Sequence, residues 1–155
     1  MTYNDILRRF RYAVDLSDDA MIDIFSEGGV TLENAELVAL LRREEDEGYE
    51  PCSEKHMKQF LTGLVRFTRG EAPAGTPPLI GENDPLTNNV ILKAMRIALE
   101  MHEQDMLDVF GQAGFTVSRA ELSALFRKKG HKNYKPCGDQ LLRNFLKGLT
   151  LHNRA

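Results

Sequence analysis

The chain has 155 residues, of which 42% are hydrophobic and 28% charged, with a formal net charge of −3 at pH 7. This is the composition of a soluble globular protein, and no apolar run reaches the roughly 18 residues that a membrane-spanning helix needs, so we predict that it is not a membrane protein. The first ten residues lack both the basic segment and the long apolar segment of a secretory signal, so we expect a cytoplasmic protein.

The dominant feature of the sequence is an internal duplication. Residues 4–64 align without a gap on residues 89–149, and 23 of the 61 aligned positions are identical. The duplication predicts an all-α protein of two homologous four-helix repeats packed with pseudo-twofold symmetry. We divide the chain into repeat one (residues 1–65), a linker (residues 66–88) and repeat two (residues 89–155). A unit of about 60 residues buries too little surface to be stable alone, so we expect the repeats to pack together or to exchange between chains.

The first two helices of each repeat are predicted by their apolar spacing and by their ends. Apolar residues recur at helical spacing from Ile6 to Val14 and again from Ile91 to Leu99. A second, shorter helix follows Ser17, where two acidic residues suit the positive end of the helix dipole. It is expected to stop at Gly28-Gly29, and its counterpart in repeat two at Gly114.

The third and fourth helices are separated by a distinctive loop. Ser118 and Glu121 have the spacing of a capping box at the start of the third helix of repeat two. In both repeats this helix is followed by a segment ending in Tyr-x-Pro-Cys, where the proline prevents helical continuation. The fourth helix contains Gly63 in repeat one and Gly148 in repeat two. Since glycine destabilises a helix by about 1 kcal/mol relative to alanine, we expect another helix to approach closely there.

The linker holds four prolines and three glycines and shows no apolar period. We expect it to be extended in part. Its reach would allow repeat two to fold back on repeat one or to dock on a neighbouring chain, and both arrangements are compatible with the sequence.

The two repeats carry opposite charge, with a net −7 over residues 4–64 and +4 over residues 89–149. Much of the difference lies after the third helix. We define the acidic loop by Glu44, Glu45, Asp46, Glu47, Tyr49 and Glu50. We define the basic loop by Arg127, Lys128, Lys129, His131, Lys132, Tyr134 and Lys135. Complementary faces and drift of solvated residues after the duplication explain this difference equally well.

Several segments of the chain resemble a known family. NDILRRFRYA, ALLRREEDEGYEPC and FLTGL, repeated as NVILKAMRIA, ALFRKKGHKNYKPCGDQLLRNFL and KGL, are similar to the YehS-like bacterial proteins. The resemblance covers nearly the whole chain except the linker, and HKNYKPCGDQLLRNFL is its most specific stretch. It implies the same two-repeat layout and a bacterial cytosolic origin. The family is a domain of unknown function, so the resemblance implies no catalytic residues.

No catalytic motif stands out, and we predict that the protein is not an enzyme. Cys137 lies six residues after His131, which is a possible pairing of thiol nucleophile and base. In repeat one, however, Cys52 keeps its position while Asp46 replaces the histidine, so a single structural role explains both cysteines. The four histidines are scattered and no Cys-x-x-Cys pair occurs, so we predict neither a metal site nor a cofactor.

Two functions remain open. The first is a binding or adaptor module whose basic loop contacts an acidic surface, either on an unrelated protein or on the acidic loop, within the chain or across a homodimer. The second is nucleic-acid binding, because the cations of the basic loop surround Tyr134, whose ring suits stacking on a base. The second and third helices also resemble a helix-turn-helix unit, although their turn is about two residues longer than usual. We therefore place the binding module first.

Some polar residues are identical in both repeats, and we expect them to form structural networks rather than repeated ligand contacts. These pairs are Asn4/Asn89, Arg11/Arg96, Asp23/Asp108, Glu36/Glu121, Arg42/Arg127 and Tyr49/Tyr134. In particular, we expect Arg11 and Arg96 to lie partly buried against a carboxylate such as Asp23, Glu36 or their counterparts.

Overall fold

The computed structural model describes residues 1–154, and every regular element within that range is an α-helix. The helices of repeat one are α1 (Tyr3–Val14), α2 (Asp18–Glu27), α3 (Asn34–Leu41) and α4 (Glu54–Arg69). Those of repeat two are α5 (Asn88–Ala98), α6 (Glu103–Gln112), α7 (Arg119–Leu125) and α8 (Asp139–Arg154). The predicted all-α fold of two four-helix repeats is confirmed. None of the described helices is long and apolar enough to cross a membrane.

Polar caps set the starts of these helices. The Ser17 side chain accepts a hydrogen bond from the backbone N–H of Ala20, and the predicted capping box of Ser118 and Glu121 is present. At the other end, α4 contains no proline and continues to Arg69, and it ends at Gly70, whose φ is 79°. The non-helical part of the linker is therefore residues 70–87, and it begins four residues later than the predicted 66–88.

The two repeats pack through their first and last helices. α8 lies along α1, and α4 lies along α5. The first pair runs in the same direction: the Asn153 side chain donates to the backbone oxygen of Ala13 (3.1 Å) at the C-terminal ends, and the Met1 amine donates to Asp139 (3.3 Å) at the N-terminal ends. Each repeat therefore places its last helix beside the first helix of the other.

A continuous hydrophobic core runs through both repeats. Within them, α2 packs on α4 and α6 packs on α8. The ring of Phe60 lies 6.4 Å from that of Phe10 and 5.0 Å from that of Phe25, and the equivalent rings of Phe110 and Phe145 are 5.8 Å apart. Edge-on and tilted ring pairs of this kind stabilise a core beyond the area that they bury.

The glycines of the fourth helices lie at close helix contacts, as predicted. A Cβ atom added at Gly63 would stand 1.9 Å from the carbonyl oxygen of Ile24 in α2. One added at Gly148 would stand 1.9 Å from the carbonyl oxygen of Val109 in α6. These two glycines let the backbones of neighbouring helices touch, so their role is in packing.

Candidate binding groove

A buried asparagine holds the loop after α3 in place. The side-chain nitrogen of Asn4 donates to the backbone oxygens of Leu40 (2.9 Å) and Glu50 (2.8 Å). Its oxygen accepts from the backbone N–H of Cys52 (2.9 Å) and from the hydroxyl of Tyr49 (3.1 Å). The Tyr-x-Pro-Cys segment is thereby fixed to the start of α1, because a buried side-chain amide needs all of these partners.

Asn89 does the same in repeat two. It donates to the backbone oxygens of Leu125 (2.9 Å) and Lys135 (2.8 Å) and accepts from the backbone N–H of Cys137 (2.9 Å). The tyrosine bond of repeat one has no counterpart among the hydrogen bonds of residues 1–154. Tyr134 instead lines a groove. The identical Asn and Pro-Cys residues thus belong to a structural network, whereas the two tyrosines differ in their contacts.

The two cysteines are structural residues of this network. Both are buried, and burial raises the pKa of each thiol to about 11. The exposed His131 uses its Nδ1 to accept a hydrogen bond from the backbone N–H of Asn133 (3.0 Å). In residues 1–154, no group of three side chains capable of binding a metal comes together. A buried thiol with a raised pKa is a poor nucleophile, so the surroundings of Cys52 and Cys137 suit inert thiols.

We expect Cys52 and Cys137 to resist alkylation while the protein is folded. A thiol with a pKa of about 11 has roughly a hundredfold less thiolate at mildly alkaline pH than one with the reference value of 9.0. The rate of iodoacetamide modification, followed by mass spectrometry, should therefore fall at least about a hundredfold between urea-unfolded and native protein. Fast modification of either cysteine in the native state would contradict the structural role.

The basic loop lies on the surface after α7. The backbone oxygen of Lys128 accepts from the N–H of His131 (3.0 Å), and the backbone oxygen of His131 accepts from the N–H of Tyr134 (2.9 Å). The Lys135 ammonium lies 3.1 Å from the carboxylate of Glu121, and this hydrogen bond lowers the pKa of Glu121. Lys135 is therefore committed to a contact within its own repeat.

Part of the basic loop forms one side of a groove of about 560 Å³ beside the start of α5. Four cations line it, namely Lys93, Arg127, Lys128 and Lys129. The ring of Tyr134 and the apolar side chains of Val90, Leu125, Phe126 and Pro85 complete most of its wall. Asp84, from the end of the linker, is the acidic residue among those that line it. We call this site the basic groove.

The basic groove contains only part of the predicted contact surface. It brings together Arg127, Lys128, Lys129 and Tyr134, whereas His131, Lys132 and Lys135 are not among its lining residues. The prediction from sequence missed Lys93 and Phe126. Lys93 comes four residues after Asn89, one helical turn away, and this spacing is the signal that places it beside the anchored loop.

The acidic loop occupies the corresponding place in repeat one. The Asp46 carboxylate accepts from the backbone N–H of Arg43 (3.1 Å), and the Arg42 guanidinium donates to the backbone oxygen of Glu47. Glu44, Glu45, Asp46, Glu47 and Glu50 are all exposed, and Tyr49 is half-buried against Asn4. No ion pair of the described residues joins the acidic loop to the basic loop, and their pairing across two chains stays a prediction.

Arg11 and Arg96 hold the turn after the first helix of each repeat. Both are half-buried, and the Nε of each donates to a backbone oxygen five residues further along the chain, at 3.0 Å. Arg11 forms an ion pair with Asp18, at the start of α2, and not with Asp23 or Glu36 as expected. Arg96 instead lies 4.8 Å from the centre of the Phe126 ring. The predicted partial burial of both arginines is confirmed, but the named carboxylate partners were wrong because each arginine spans the adjacent turn.

Comparisons with known proteins agree with the two-repeat architecture. The model of the family described as "Protein of unknown function (DUF1456)" matches the chain twice, over residues 3–70 and 88–155. The chain is 35% identical over 150 residues to "Uncharacterized protein YehS" of Escherichia coli (strain K12), covering 97% of this chain and 95% of that protein. No solved structure matches the chain. The predicted family resemblance is confirmed, and the chain belongs to the DUF1456 family.

Proposed function

We propose that the protein is a non-enzymatic binding module whose basic groove takes an acidic segment of a partner protein. The observation that carries this proposal is an uncompensated cluster of positive charge. The cations of the cluster are Lys93, Arg127, Lys128 and Lys129, and none of them forms an ion pair within residues 1–154. Such a cluster attracts acidic partners over about a Debye length and orients their approach.

The wall of the basic groove favours a protein over a simple anion. Tyr134 and Phe126 are half-buried there, so their rings offer apolar surface next to the cations. Aromatic residues and arginine are enriched at protein interfaces, where they combine contact area with polar anchoring. Asp84 also lines the groove, but it forms no ion pair with these cations within residues 1–154. An acidic segment with apolar side chains matches this wall.

Nucleic-acid binding is the second candidate, because the same cations surround the same tyrosine ring. The helix pair that resembles a helix-turn-helix unit gives it little support. The connection between α6 and α7 has six residues, and α7 itself has seven. The cation at the start of α7, Arg119, is already engaged by Glu103 (3.2 Å) and Gln104 (2.8 Å). A recognition helix would need that end free to contact bases.

Fluorescence anisotropy with two probes tests this proposal. One probe is a labelled acidic peptide containing leucine and phenylalanine, and the other is a labelled single-stranded oligonucleotide of similar length. We expect the peptide to bind at about 100 mM salt and the variant Lys93→Glu/Lys128→Glu to bind it at least about tenfold more weakly. Lys55→Glu/Lys132→Glu makes the same change in charge outside the basic groove and should bind nearly as well as the wild type.

The outcomes separate the two candidate functions. If the oligonucleotide binds through Lys93 and Lys128 while the peptide does not, nucleic-acid binding replaces the proposal. If both double variants weaken peptide binding equally, the effect comes from net charge and the basic groove is not the site.

A further inference from the structure

The linker follows a defined path along α4. The Lys58 ammonium donates to the backbone oxygen of Glu82 (3.1 Å) and to that of Asp84. One turn earlier in the helix, the carboxylate of Glu54 accepts from the backbone N–H of Leu86 (2.8 Å). The linker therefore runs antiparallel to α4 and returns to the start of α5. It is held there through its own backbone, and residues 81–84 form a turn closed by a hydrogen bond from the N–H of Asp84 to the backbone oxygen of Gly81 (3.2 Å).

The pseudo-twofold symmetry relates this covered surface to a second one, between α1 and α8. Since α1 and α8 correspond to α5 and α4, the two surfaces have the same helical framework. A single linker joins the repeats, and no second segment within residues 1–154 covers the α1–α8 side. A groove of about 740 Å³ is found there. We call it the open groove; it is lined by residues of α1 and α8 and by Arg43, Glu44 and Glu45.

Equivalent positions of the two first helices differ in burial and in chemistry. Ala94 of α5 is fully buried, whereas its counterpart in α1, Arg9, is exposed. Ile97 of α5 is half-buried, whereas its counterpart Tyr12 is 59% exposed. Where α5 has apolar side chains, the open groove has an arginine and a tyrosine. Both residue types are enriched in non-obligate protein interfaces.

The lining side chains of the open groove carry four positive and three negative charges, and the positive excess lies on its helical walls. Arg8 is neutralised by Asp5. Arg9, Arg43 and Lys147 have no ion-pair partner among the described residues. Of these three cations, Arg9 and Lys147 lie on the two helices that form the walls, while the groove's glutamates, Glu44 and Glu45, both belong to the loop.

Two exposed side chains add contact surface to the same groove. Tyr12 lies in α1, and its ring is stacked by the Arg154 guanidinium, 3.8 Å from the ring centre. Leu151 of α8 is 42% exposed. Tyr12 and Leu151 supply exposed contact area, and the unpaired cations beside them supply charge. A docking surface combines these two components.

We propose that the open groove between α1 and α8 docks an acidic segment of a partner protein. The segment would lie between the two helices, with its carboxylates facing Arg9 and Lys147. This site is separate from the basic groove, so it does not depend on the function proposed above.

The test uses a labelled peptide with the sequence of residues 79–87 in which Leu79→Glu and Ile80→Glu supply charges for the open groove. We expect saturable binding to the full chain by fluorescence anisotropy. Titrations in the Lys93→Glu/Lys128→Glu background keep the basic groove from contributing. In that background, adding Arg9→Glu/Lys147→Glu should weaken binding at least about tenfold, and adding Lys55→Glu/Lys132→Glu, outside both grooves, should leave it within about twofold. A peptide with amides in place of every carboxylate should bind at least about tenfold more weakly than the acidic peptide.

Three results would overturn the proposal. They are no binding up to about 1 mM peptide, equal loss on adding either pair of substitutions, and loss only on adding Lys55→Glu/Lys132→Glu. The milder variant Arg9→Gln/Lys147→Gln, which removes the charges without reversing them, should give the same direction of change. Thermal unfolding of each variant verifies that it is folded. The two grooves are tested with different substitutions and different peptides, so failure of the open groove is distinct from failure of the basic groove.

Discussion

Replacing Gly148 by alanine is expected to destabilise the folded protein by about 3 kcal/mol or more. The new methyl carbon would stand 1.9 Å from the carbonyl oxygen of Val109, and relief requires α8 to move away from α6. Backbone atoms of a packed helix cannot rotate aside as a flexible side chain can. Urea unfolding followed by far-UV circular dichroism measures the loss, and Gly63→Ala should behave alike because its Cβ would meet Ile24 in the same way.

The matched control is Gly111→Ala. Gly111 lies within α6, and a Cβ added there would meet nothing within 4 Å. Alanine is the better helix former, so this variant should gain roughly 0.5 to 1 kcal/mol. If Gly148→Ala were as stable as the wild type while Gly111→Ala gained stability, the close packing of α8 on α6 would be refuted.

Replacing Asn4 by alanine is expected to destabilise the fold by about 3 to 5 kcal/mol. The side chain is 1% exposed, and its removal leaves the backbone oxygens of Leu40 and Glu50 and the backbone N–H of Cys52 without their partner. Unsatisfied buried polar groups carry the full cost of their lost hydration. Denaturant unfolding gives the value, and the change in midpoint should come without a large change in slope.

The control for Asn4 is Asn34→Ala, at the exposed first residue of α3. This substitution should change the unfolding free energy by less than about 0.5 kcal/mol. Equal stability of Asn4→Ala and Asn34→Ala would show that the buried amide does not hold the loop and that the identical asparagines of the two repeats need another explanation.

The helices were predictable because each had to be consistent with two sequences. An apolar position supported by both Ile6 and Ile91, or a glycine by both Gly63 and Gly148, carries more information than either residue alone. The exchange of last helices between repeats could not be predicted. The apolar face of α4 has the same pattern whether it packs on its own first helix or on that of the other repeat. Which first helix it packs on is decided only by complementary packing in three dimensions.

The candidate site was predictable only where its charge is contiguous in sequence. Arg127, Lys128 and Lys129 stand side by side, whereas Lys93 reaches the basic groove through the fold. In the sequence Lys135 looks equivalent to its neighbours, yet its ammonium forms an ion pair with the Glu121 carboxylate. The Asn89 contacts are to backbone oxygens, which no sequence pattern records. The open groove is also invisible in the sequence, because it is defined by the single path of the linker over one of two equivalent surfaces.

The exchange of last helices has a consequence for symmetry. A chain of one repeat would leave one side of its first and last helices uncovered, and two identical copies could cover those sides by pairing with twofold symmetry. In such a homodimer every substitution would appear on both subunits. In this chain the two repeats are separate segments, so equivalent surfaces can differ, as the acidic loop and the basic loop do.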